Sequence, residues 1–105
     1  MNFETKEELT YLAGALEYRG KLECRDGILK VRLRSRVGNL PALLKMEFGG
    51  TFYRHNGVPY FEATGNVAYA LLWRVLPYLR TWGKLAKDYL NEQRDRQKAN
   101  KKARK

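Results

Sequence analysis

The segment Ile28 to Arg36 (ILKVRLRSR) limits what this chain can fold into more than any other stretch, because it alternates with period two over the full length of a strand. Successive side chains of a β-strand point to opposite faces. Leu29, Val31 and Leu33 therefore face one way, and Lys30, Arg32, Arg34 and Arg36 the other. A helix would scatter these residues around its circumference, so the pattern predicts an antiparallel sheet with one apolar face and one open face. The polar row carries four cations and no acid. Its steps of about 7 Å are comparable to those between successive phosphates of a nucleic-acid strand. An ordinary solvated face mixes Lys, Glu and Thr, so this composition favours a surface that binds a polyanion.

Leu22 and Cys24 alternate against Lys21, Glu23 and Arg25 in the strand before it, and Asp26-Gly27 supplies a two-residue turn between the two. A second hairpin flanks Asn56-Gly57, with Thr51 to Arg54 on one side and Val58 to Thr64 on the other. There Phe61 and Ala63 oppose Tyr60, Glu62 and Thr64. Helical patterns surround the hairpins. Thr5 and Glu8 have capping-box spacing and open a helix from Lys6 to Tyr18, with a stripe of Leu9, Leu12, Ala13 and Leu16, that Gly20 ends. Asn39 and Pro41 start a short helix through Leu40, Leu43, Leu44 and Met46 to the break at Gly49-Gly50. Asn66 opens another, carrying Val67, Ala70, Leu71, Val75 and Leu76 up to Pro77, and a last helix runs from about Trp82 to Gln93. Tyr69, Trp73 and Tyr78 read as core aromatics. The order αββαββαα predicts an α+β domain: a four-stranded antiparallel sheet with one face covered by helices.

A chain of 105 residues supports one core. We place the domain at residues 1–90 and a basic, flexible tail at 91–105. The formal net charge is +10, and the tail, with seven basic and two acidic residues, contributes half of it. Such a surplus points to a polyanionic partner. Cys24 is the only cysteine, which excludes an internal disulfide and a multi-cysteine zinc site and fits a reducing, cytoplasmic compartment. His55, the only histidine, sits beside the second turn and cannot build a His-rich metal site, so no metal ligand set is expected. No run of 18 apolar residues exists and the apolar residues follow core periodicities, so no membrane partner is expected.

The residues Leu12-Ala13-Gly14-Ala15-Leu16-Glu17-Tyr18-Arg19-Gly20 resemble a degenerate LAGLIDADG motif, placed at the end of the first helix and before a basic hairpin. Phe48-Gly49-Gly50 after the Leu43-Leu44 helix is similar to that family's middle helix and turn. Leu76-Pro77-Tyr78-Leu79 is similar to its late helix junction. Together these cover about residues 7–90. The resemblance to the LAGLIDADG homing endonucleases implies a homodimer in which two motif helices pack side by side through Leu9, Leu12, Ala13, Gly14, Leu16 and Glu17. It further implies that the two sheets form a saddle along the major groove of double-stranded DNA. The reading face then maps to Lys21, Glu23, Arg25, Lys30, Arg32, Arg34 and Arg36, with Tyr53, Tyr60, Glu62 and Thr64 beside them. Arg and Lys donate to guanine O6 and N7, and Glu23 can accept from cytosine.

The motif departs from the family at its eighth position, where a metal-binding acid is replaced by Arg19. A guanidinium repels Mg²⁺ and has no lone pair to offer, so it suits phosphate instead. Tyr18 puts a ring where the family has a small residue, and Trp82 stands near the place of a frequent lysine. Glu17 is the remaining acid of the motif and the candidate catalytic residue; its structural role would be hydrogen bonding at the helix end. Three functions follow. The first is a sequence-preferring duplex-DNA binder with impaired cleavage and no cofactor. The second is an active endonuclease using Glu17 and Mg²⁺. The third is an RNA-binding, maturase-like protein in which Tyr53 and Tyr60 stack on unpaired bases.

Overall fold

The computed structural model describes residues 3–36 and 39–103, with side chains at all of these except 93 and 96–103. Helix α1 spans Lys6–Arg19 and starts in a complete capping box: Thr5 Oγ1 accepts from Glu8 N, and the Glu8 carboxylate accepts from Thr5 N. Strands β1 (Gly20–Arg25) and β2 (Ile28–Arg34) follow, then α2 (Leu40–Phe48), β3 (Thr51–His55), β4 (Val58–Thr64) and α3 (Asn66–Val75). A 3₁₀ turn at Leu76–Tyr78 carries Pro77 and leads to α4, Gly83–Ala103. Both hairpins turn on two consecutive residues with positive φ, Asp26-Gly27 and Asn56-Gly57, the requirement of a type I′ loop.

The sheet is antiparallel with order β1-β2-β4-β3, so β2 and β4 form its centre. Leu29, Val31 and Leu33 of β2 and Phe61 and Ala63 of β4 lie buried under the helices. They share one core with Leu12 and Leu16 of α1, Leu44 of α2, Leu71, Leu72 and Val75 of α3, and Ala86 and Leu90 of α4. The structure is the expected α+β fold with one face of its sheet covered. Among the described residues no helix is long and apolar enough to cross a membrane.

Several local expectations change. β2 stops at Arg34 because its ladder ends with Ser35 N donating to Pro59 O; Pro59 has no N–H to return a bond. Arg36 therefore lies beyond the strand. Asn39 makes no side-chain cap; instead its carbonyl accepts from Leu43 N at 2.8 Å. Met46 and Trp73 are exposed rather than core, Trp73 meeting Tyr69 edge-on at 6.2 Å, while Cys24 is half-buried. The segment expected as a flexible tail is helical as far as Ala103, while Arg104 and Lys105 lie outside the described residues. Polarity argued for fraying, but Lys, Arg, Gln and Ala are good helix formers, and Ala86 and Leu90 anchor the first turns in the core.

Gly50 closes α2 against the sheet. Its φ is +87°, and a Cβ there would stand 2.7 Å from the Glu62 carbonyl oxygen. Gly50→Ala is expected to destabilise the fold by about 2 kcal/mol or more, read as a lowered urea midpoint with unchanged slope.

Candidate nucleic-acid interface

Cross-strand partners share a face, so the pairing register decides which side chains stand together. Lys21 pairs with Arg32 and Glu23 with Lys30 across β1 and β2. Lys30 pairs with Thr64, Arg32 with Glu62 and Arg34 with Tyr60 across β2 and β4. Tyr53 pairs with Tyr60 across β3 and β4. Ten of the residues expected at the interface thus occupy one face: Lys21, Glu23, Arg25, Lys30, Arg32, Arg34, Tyr53, Tyr60, Glu62 and Thr64. All ten are exposed or half-buried, on the side of the sheet away from the core. Thr51, opposite Glu62, and His55, opposite Val58, belong to the same face, as does the exposed Ile28. Continuing the alternation two residues either way from Tyr53 would have found Thr51 and His55.

The face is not uniformly cationic. Lys30 Nζ lies 2.9 Å from Glu62 Oε1, and Tyr53 Oη donates to Glu62 Oε2 at 3.1 Å. The Lys30 hydrogen bond, opposed by burial and helped by Tyr53, holds the Glu62 carboxyl below its ordinary pKa. Burial, then the hydrogen bond and charge of Glu62, push the Tyr53 phenol up. The Tyr53 and Tyr60 rings stack on each other, 5.2 Å between centroids and 2° between planes. They are half-buried rather than free platforms for bases, because each occupies the other's ring face. The open face forms a shallow groove of about 330 Å³ lined by Lys21, Glu23, Arg25, Lys30, Arg32 and Thr64, among others.

At the end of α1, Glu17 and Arg19 part company. The Glu17 carboxylate accepts from Arg80 N and Trp82 N at 3.0 and 2.7 Å, from Thr81 Oγ1 at 2.7 Å and from Thr81 N. It binds three consecutive amides just ahead of α4 and pins that junction to α1. Burial of the carboxylate would raise its pKa, but these hydrogen bonds outweigh it and leave the group below the ordinary 4.5. Oε2 takes most of these contacts and Oε1 shares the Arg80 amide, so the carboxylate is tied to residues 80–82. Arg19 instead lines clefts with Arg34 and Arg36 on one side and with Lys21, Arg32 and Arg34 on the other.

The expected dimer residues also need correction. Leu9, Leu12, Ala13 and Leu16 are buried in the chain's own core, because the single apolar stripe of α1 is consumed by the sheet beneath it. Glu17 is engaged with residues 80–82, and only Gly14 of the set looks outward, with nothing within 4 Å of where its Cβ would be. The outward stripe is Tyr11, Gly14, Ala15 and Tyr18, which with Thr10, Leu33 and Leu40 lines an apolar groove of about 500 Å³.

This geometry is similar to that of solved structures. The homing endonuclease I-CvuI in complex with the I-CreI target in the presence of 2 mM Mg, revealing DNA not cleaved, matches with a TM-score of 0.66 at 21% identity. The same enzyme in complex with its own target in the presence of 2 mM Ca matches with a TM-score of 0.63 at 22% identity. Each match covers 86% of this chain and 68% of the other. The chain has the fold of these homing endonucleases. No family model matches the sequence. Among curated proteins it is similar to the U6 snRNA-associated Sm-like protein LSm6 of Mycosarcoma maydis, at 35% identity over 52 residues or 50% of this chain. The chain spans 61% of the length of that relative.

Within the homing-endonuclease fold the position of Glu17 makes it a structural latch with a defined pH response. A carboxylate with a depressed folded pKa contributes stability that is present above its ordinary value of 4.5 and lost as pH falls through the folded value. Glu17→Ala leaves the amides of residues 80–82 without their acceptor and is expected to cost about 1–3 kcal/mol at neutral pH. Urea unfolding between pH 7 and pH 3 checks the sign: the gap between wild type and Glu17→Ala should narrow on acidification.

Proposed function

We propose that this chain binds duplex DNA through the uncovered face of its sheet, as a homodimer joined along α1, with metal-dependent cleavage impaired or lost. One observation carries the reading: the register of β1, β2 and β4 gathers Lys21, Lys30, Arg32 and Arg34 on one open face while Leu29, Val31 and Leu33 go beneath it. Phosphate contacts by such a row supply affinity, and Lys, Arg and Glu23 offer donors and an acceptor to base edges. The likeness to I-CvuI, whose structures are complexes with a DNA target, supports duplex DNA as the partner.

The end of α1 does not suit a divalent ion. Mg²⁺ takes hard oxygen ligands, whereas Arg19 offers none and the Glu17 oxygens are held by residues 80–82. Loss of cleavage rests on this donor set. The exposed stripe Tyr11, Gly14, Ala15 and Tyr18 supports the homodimer, since small residues at its centre admit a second helix closely and tyrosines at its ends supply contact area.

An RNA-binding reading has the 52-residue likeness to a U6 snRNA-associated protein in its favour. Against it stands the mutual stacking of Tyr53 and Tyr60, which covers one face of each ring. Competition between structured RNA and duplex DNA at matched salt separates the two, with duplex expected to win.

Selection of bound sequences from a random duplex library, followed by incubation of the best binder with Mg²⁺ and Mn²⁺, is expected to give a two-fold symmetric site and no strand scission. Lys21→Ala combined with Arg32→Ala should weaken binding to that site and flatten log affinity against log salt by roughly two units. An unchanged slope would remove both residues from the phosphate contacts. Gly14→Arg should leave the monomer folded, because space is open above that residue. Sedimentation is expected to show a dimer for the wild type and a monomer for this variant.

A further inference from the structure

We infer that Arg19, Arg34 and Arg36 form a binding site for a phosphate group at the corner where α1 ends and the chain leaves β2. Arg19, Arg34, Arg36 and Val58 line one cleft of about 320 Å³. A second cleft of about 130 Å³ shares Arg19 and Arg34 and adds Lys21, Arg32 and Tyr60. Neither lining contains a carboxylate. Three other cations on the described surface meet acids: Lys30 with Glu62 at 2.9 Å, Arg74 with Glu47 at 3.0 Å and Arg25 with Glu23 at 4.0 Å. No carboxylate among the described residues pairs with Arg19, Arg34 or Arg36.

Arginine does not shed its proton, so three side chains crowded into one cleft remain three positive charges. Water and salt screen their repulsion in part; an oxyanion of high charge relieves it directly. Each guanidinium presents a planar fork that donates two parallel hydrogen bonds, which matches a group with several acceptor oxygens. A terminal or free phosphate supplies three or four such oxygens and close to two charges, whereas a phosphodiester, like a carboxylate, supplies two free oxygens and one charge. The Tyr18 ring, with the Arg19 guanidinium 5.2 Å from its centroid, narrows the range of orientations that Arg19 samples.

The phosphate has two sources: a phosphodiester of a nucleic-acid backbone, or a terminal or free phosphate. In the first case the inference rests on the duplex reading and adds the place of one backbone phosphate. The anion site itself needs no duplex and is tested alone. The full chain is heated in sodium pyrophosphate and in sodium chloride of equal ionic strength, as wild type and as Arg34→Gln combined with Arg36→Gln. Pyrophosphate is expected to raise the wild-type Tm by about 5 °C at tenfold excess over its Kd and the variant Tm by less than half as much. Both arginines are exposed, so the variant folds, and in chloride its Tm should equal or exceed that of wild type because repulsion is removed. Equal rises in the two proteins would overturn the site.

Displacement of pyrophosphate by a duplex lacking terminal phosphates supports the backbone as source. Displacement only by a 5′-phosphorylated oligonucleotide supports a terminal phosphate. Duplex binding that persists when the pyrophosphate response is equal in both proteins refutes this site and leaves the duplex reading standing. A response that depends on the arginines, in a chain that binds no duplex, does the reverse.

Discussion

The pairing of β2 with β4 at the centre of the sheet is the constraint on which the rest depends. Leu33 opposite Phe61 and Val31 opposite Ala63 form the floor of the core, and the residues between them must then face outward. A slip of one residue would drive Arg32 and Arg34 under the helices and leave Val31 and Leu33 in water. Burying two unpaired guanidinium groups costs far more than any local rearrangement could recover. The apolar half of the alternation therefore fixes the location of the basic half. Type I′ turns at Asp26-Gly27 and Asn56-Gly57 reinforce the register from the hairpin ends.

A second constraint comes from the end of α1, where opposite sides of one helical turn serve different purposes. Glu17 is turned toward the core side and spends its charge on the amides of residues 80–82, tying the junction before α4 to the helix that precedes the sheet. Arg19, two residues on, emerges over the open face. A fold shared with homing endonucleases does not by itself decide chemistry, which lies in the donor set at a site. Here Arg19 stands beside Arg34 and Arg36, and the Glu17 carboxylate is hydrogen-bonded to residues 80–82.

The same helix shows why interface residues are hard to read from periodicity. Leu9, Leu12, Ala13 and Leu16 form the most apolar stripe of α1, and apolar stripes serve a helix's own core as readily as a partner's. Once the sheet is in place it takes that stripe, and the strip left on the outer side of the helix is the less hydrophobic one of Tyr11, Gly14, Ala15 and Tyr18. Hydrophobicity alone does not say which face packs on the chain's own sheet. Only the position of the sheet tells them apart.

Period-two alternation, two Gly-containing turns and a capping box were enough to specify every strand and helix in order, because each depends on neighbours a few residues away. Alternation likewise assigned ten interface side chains to one face, since a side chain's direction along a strand is local geometry. What the sequence left open are distances between residues far apart in the chain: that Glu62 neutralises Lys30, that Tyr53 and Tyr60 stack, and that Glu17 meets residues 80–82. The convergence of Arg19, Arg34 and Arg36 on one cleft belongs with them. Which charges are cancelled and which remain depends on separations of a few ångströms between distant segments, and only the packed tertiary structure sets those separations.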